Sequence, residues 1–231
     1  FFSSIEVGCR LDHSGHDRRP LTAPQRKNLG GRRQRAEPAL AMRRLPRRLS
    51  HHSPTTAILA AMRPISFFAD RLSANLRVFD HFLRDVSAEQ AAWRPGPDAW
   101  SMLEVVCHLY DEEREDFRMR LRSTLEDPSQ PWPPIDPRGW VLARGYASRE
   151  YRVMLDRFLA ERAASIVWLR DLQHPALENE RKLGEFTIRA GDLLAAWLAH
   201  DFLHLRQINE RHYGYAAKAA EPYSVIYAGD W

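Results

Sequence analysis

From residue 65 onward, large apolar residues recur at spacings of three and four, the period of a helix with one buried face. The segment ISFFADRLSANLRVFDHFLRD, 65–85, places Phe68, Leu72, Leu76, Phe79 and Leu83 on one stripe. A short turn follows, and RPGPDAW then breaks the chain with two prolines and a glycine. A second helix is predicted from Ser101 to about Leu125, with Leu103, Val106, Tyr110, Phe117 and Leu121 as its stripe. Asp98 or Ser101 can cap it, and Ser101 with Glu104 three residues on matches a capping box. A third helix is predicted over about 146–172, carrying Tyr151, Leu155, Phe158, Leu159, Ile166 and Leu169. The fourth, about 190–213, is expected to end at Gly214, since glycine terminates helices well.

The connections differ in kind. Residues 127–140, DPSQPWPPIDPRGW, hold five prolines and two tryptophans and are expected to form a non-helical crossover. Residues 174–191 read as a loop with a short extended piece at EFTI. Strand signals are otherwise nearly absent. Four long helices joined by one long Pro/Trp-rich crossover describe an all-α four-helix bundle.

Charge divides the chain. Residues 1–61 carry twelve Lys/Arg against four Asp/Glu, whereas 62–231 carry twenty-two against twenty-six and all seven tryptophans. The first part has too little apolar area to offset chain entropy and is predicted to be a disordered Arg-rich extension. Met62 stands just before the periodic pattern, so a mis-set start or an irrelevant extension is the expectation for 1–61, against a nucleic-acid-binding arm or targeting peptide as the functional alternative. The folded domain is expected over 62–231. Its acidic balance argues against nucleic acid as a partner, because phosphate binding needs clustered positive surface. Cys9 and Cys107 make no disulfide framework and fit a reducing cytoplasm. No apolar run approaches a membrane span.

The candidate chemistry lies in HDFLH, 200–204. His200 and His204 are four apart, within about 40° on a helical wheel, so both rings can meet one ion. Leu193, Ala196, Trp197 and Ile208 share their face, which points the pair into the bundle. Neutral imidazole suits zinc, nickel, copper or iron. A third ligand must come from another helix, and His108 is the candidate, with Glu104 and Glu112 four residues either side. Either carboxylate could orient the ring, add a ligand or act as a base. Against this stands the plainer possibility of satisfied core histidines. The other seven histidines read as ordinary: His81 on a helix surface, His174 in a loop, His212 at a helix end, and His13, His16, His51 and His52 in the extension. A di-iron bundle would need Glu-x-x-His, and Val105 and Trp197 occupy those places. A zincin would need H-E-x-x-H, and Asp201 stands where Glu belongs.

WRPGPDAWSMLEVVCHLYDEE, followed about ninety residues on by GEFTIRAGDLLAAWLAHDFLHLRQI, resembles the DinB-like superfamily. The resemblance covers about 65–215. It implies a four-helix bundle binding one divalent metal through three histidines, here His108, His200 and His204. The resemblance leaves the reaction open; its characterised members include thiol-dependent S-transferases. The leading expectation is a transferase that uses a low-molecular-weight thiol on a small-molecule electrophile, with zinc or nickel as the metal. Trp100, Trp132 and Trp140 are candidates for the pocket wall. The alternatives are a metal-dependent hydrolase, with Glu112 or Glu104 as base, and a non-catalytic metal-binding stress protein that forms a homodimer.

Overall fold

In a computed structural model, residues 64–229 are described. The expectations for residues 1–61, including the domain boundary beside Met62, lie outside them. The long helices are α1 (Ile65–Leu83), α3 (Met102–Asp111) continuing through a π turn (Glu112–Phe117) into α4 (Arg118–Glu126), α6 (Tyr151–Asp171), and α7 (Ala190–Ala219). Two short helices, α2 (Ala88–Ala92) and α5 (Pro137–Ala143), lie in the connections. The fold is an all-α four-helix bundle with one long crossover.

Local chemistry explains most boundaries. Ser101 Oγ accepts the Glu104 N–H, and the Glu104 carboxylate accepts the Ser101 N–H, which is the predicted capping box. Glu150 caps α6 by accepting two N–H groups, from Arg152 and Val153. The crossover is not wholly irregular, contrary to expectation. Pro137 occupies the first turn of α5, where its missing N–H costs nothing, and Asp136 accepts the Gly139 N–H at 3.0 Å. Proline density forbids a helix interior, not a helix start.

The extended piece expected at EFTI is present as β2 (Phe186–Arg189), and what the pattern did not show is its antiparallel partner β1 (Glu180–Leu183), with which it forms a hairpin. Gly184, at φ +59°, takes the first position of its two-residue turn, where positive φ is required. The fourth helix does not stop at Gly214 but runs to Ala219, so His212 lies inside it. A Cβ on Gly214 would stand 2.8 Å from the Trp93 ring. The glycine serves a close approach between elements rather than a terminus.

The core has two apolar halves. One gathers Phe79, Leu83, Val105, Val106, Leu155, Phe158 and Ile208. The other gathers Leu72, Leu121, Ile166, Leu169, Leu194 and Trp197. Between these positions along the helices stands a polar layer with one residue from each long helix: Asn75, Glu113, Arg162 and Asp201, all buried. Arg162 Nε donates to Glu113 at 2.9 Å, and its two terminal nitrogens donate to both oxygens of Asp201 at 2.8 Å each. Asn75 and Trp197 donate to the same two carboxylates, at 2.9 and 3.1 Å. Every donor and acceptor so engaged offsets part of its desolvation. Among the described residues, no helix is long and apolar enough to cross a membrane.

Candidate metal centre

His200 and His204 stand one turn apart on α7, beside the polar layer; His108 comes from the last turn of α3. All three are buried. Their ring centroids lie 4.4 Å apart for His200–His204, 4.8 Å for His108–His204 and 5.7 Å for His108–His200. One nitrogen from each ring can be chosen so that all three fall within 4.8 Å of one another. The Nε2 atoms of His200 and His204 are 3.0 Å apart. Two nitrogens bound tetrahedrally at zinc distances lie about 3.4 Å apart, so this pair needs little movement to share an ion.

Protonation favours the same chemistry. Burial pushes the His108 and His200 imidazoles well below their ordinary range, helped by neighbouring rings. Burial also lowers His204, to about 4, against the opposing pull of Gln207 and Asp201. All three rings are therefore neutral at physiological pH, the form that ligates. His204 Nδ1–H donates to Gln207 Oε1 at 2.9 Å, which leaves the Nε2 lone pair facing His200. Such an outer partner fixes ring orientation in metal sites.

Two atoms here lack protein partners. His108 Nδ1 and Glu112 Oε1 are buried and unpaired, 4.0 Å from each other. Unpaired buried polar atoms are costly, and two at one locus beside three neutral imidazoles fit a cation or a polar ligand. The donor set thus suits a divalent transition metal.

The other sequence candidates separate. Glu112 opens the π turn beside His108; burial and the adjacent Asp116 push its carboxyl up to about 9. Glu104 is committed elsewhere, with one oxygen to Ser101 and the other to Arg94 at 2.5 Å. Trp100 packs on His108 at 5.1 Å. Trp132 has the Arg120 and Arg181 guanidinium groups over its ring at 4.6 and 4.8 Å, and Trp140 lies under Arg144. Ala196, expected on the ligand face, is exposed, because the face turns outward at that edge.

Sequence reasoning placed Phe117 in an apolar stripe but not at the site, where its ring is tilted against His200 at 4.9 Å and stacked on Trp197. It missed Arg162, Glu113 and Gln207. Arg162 sits four residues from both Phe158 and Ile166, so its place in an apolar stripe was the available signal. Glu113 carried none, since the π turn that orients it has no mark in the pattern. Such turns occur often at functional sites.

The profile of the DinB superfamily matches residues 71–208, and the chain belongs to that superfamily. Among solved structures, the fold is similar to YfiT from Bacillus subtilis, described as a probable metal-dependent hydrolase with an unusual four-helix bundle topology. The TM-score is 0.57 at 15% sequence identity, covering 72% of this chain and 90% of that one. A search of the curated proteins found no match.

Proposed function

We propose that this protein is a metal-dependent enzyme in which His108, His200 and His204 hold one divalent transition-metal ion, zinc or nickel. The nucleophile in this reading is a low-molecular-weight thiol, transferred to a small electrophile. The observation that carries it is the meeting of three buried, neutral imidazoles from two helices, with no carboxylate among them. Bound there, such an ion keeps its full charge and lowers the pKa of a coordinated thiol or water. Gln207 holds the His204 tautomer, and Trp100 and Phe117 wall the imidazoles with apolar rings that keep bulk water away.

A second reading, hydrolysis, is favoured by Glu112. Water gives up a proton far less readily than a thiol, so a base at hand matters more to a water nucleophile. The unpaired Glu112 Oε1 is close enough to the imidazoles to take that proton, and a nearby cation would draw the raised carboxyl value down. The description of YfiT as a probable metal-dependent hydrolase agrees. Glu104, with both oxygens committed, is not assigned a part in proton transfer.

The test has two arms. Elemental analysis of gently purified protein should give one metal per chain, lost in His204→Ala; unchanged content would remove the site assignment. Metal-loaded protein is then offered common cellular thiols with an electrophile, and separately an ester and amide panel. Glu112→Gln should slow hydrolysis by about 10²-fold or more while barely touching thiol transfer. Turnover in neither arm would leave a metal-binding protein without catalysis.

A further inference from the structure

A second polar concavity lies one helical turn beyond His108 and uses none of the histidines. It is a half-open cavity of about 240 Å³, walled by Arg114, Arg144, Arg149 and Arg157 against Asp111 and Glu115. Four guanidinium groups face two carboxylates, an excess of two positive charges on a domain that is otherwise net acidic.

The arrangement of partners decides what that excess can do. Both carboxylates are spent on Arg144, whose Nη1 lies 2.8 Å from Asp111 while both terminal nitrogens reach Glu115 at 2.8 Å. Tyr146 also donates its hydroxyl to Asp111, at 2.6 Å. The Arg144 bonds hold the Glu115 carboxyl below its ordinary range, so it stays ionised and engaged. Of the other three arginines, only Arg114 meets either carboxylate, and it shares Glu115 with Arg144. Arg149 donates through Nε and Nη2 to the Arg144 carbonyl, at 3.1 and 2.7 Å. Arg114 lies over the Tyr110 ring at 4.6 Å and pairs at 3.3 Å with Glu115, a carboxylate that Arg144 already engages through both terminal nitrogens. Arg157 has no carboxylate partner among the described residues. Planar guanidinium forks gathered in a concavity match carboxylate and phosphate oxygens and focus anions toward them.

We propose that this cavity binds the oxyanion group, phosphate or carboxylate, of a small molecule. Its volume is below the range usual for drug-sized ligands, which points to a compact metabolite. The proposal does not depend on the metal centre.

Metal-free protein, prepared so that anions cannot coordinate an ion, is titrated by calorimetry with inorganic phosphate and with succinate at constant ionic strength, chloride being the control. Saturable binding of one equivalent of either anion is expected, and the tighter of the two identifies the oxyanion. Arg157→Ala and Arg114→Gln should each weaken it about tenfold or more, the size of one lost charge-assisted bond. Arg157 is exposed, so its variant should keep the wild-type melting midpoint, and Arg157→Glu should abolish binding. His204→Ala should bind as wild type. The proposal is overturned if neither anion binds above chloride, if the arginine variants bind unchanged, or if His204→Ala loses binding.

Discussion

Arg162 and Asp201 form a two-pronged ion pair shut away from water, with each terminal nitrogen of the arginine 2.8 Å from a carboxylate oxygen. The pair ties α6 to α7 at the residue next to His200. Its worth lies in completeness, because removing one partner of a buried pair strands the other charge. Arg162→Met should therefore cost about 3–5 kcal/mol, since Asp201 and Glu113 would both lose their cation. Urea unfolding measures this, and a loss under 1 kcal/mol would show that water reaches the layer.

Gln207 reaches back one turn to His204 and so acts on the site without being a ligand. Gln207→Ala should weaken metal affinity about 10–100-fold while leaving helicity intact. Chelator competition reads the affinity and circular dichroism the fold. Equal affinity in the variant would mean that the His204 ring is oriented by packing alone.

Stability should fall in alkali. Burial raises the Tyr146 and Tyr151 phenols above their ordinary value and pushes the Cys107 thiol up to about 12. An acid whose folded pKa exceeds its unfolded one stabilises the fold fully below the unfolded value and loses that contribution as pH rises through the folded one. The window opens near pH ~9 with Cys107 and is joined by the tyrosines from about 10 upward. Urea midpoints at pH 8, 9.5 and 11 should decline, and less steeply in Tyr151→Phe, whose hydroxyl is bonded to the Leu83 carbonyl.

Gly214 offers a test in which sign is the outcome. Alanine in mid-helix is ordinarily better than glycine by about 1 kcal/mol. Here the added methyl would stand 2.8 Å from the Trp93 ring, which also packs edge-on against Tyr215. Gly214→Ala should be destabilising by about 1–3 kcal/mol, the cost of overpacking. In a Trp93→Leu background the same change should become stabilising. Thermal melts of the four proteins complete the cycle.

The four long helices were legible in the sequence because burying one face of a helix imposes a spacing that any chain must obey. Ser101 with Glu104 was legible for a like reason: a cap is a local bargain between neighbours in sequence. The histidine pair was visible as an i, i+4 spacing, His108 at the edge of another helix's apolar stripe was its candidate companion, and the resemblance to the superfamily pointed to the same three residues. Proximity across helices was beyond the pattern. Only the tertiary structure decided that Glu104 is spent on Arg94 while Glu112 keeps an unpaired oxygen beside His108. Only it revealed that Asn75, Glu113, Arg162 and Asp201 form one buried layer. Polar residues separated by dozens of positions carry no periodic mark of their mutual contact. A π turn, which re-aims everything after Asp111, is written in backbone hydrogen bonds that packing selects. What neighbours in sequence can settle among themselves was readable along the chain; what depends on charges meeting across the bundle was settled by the fold.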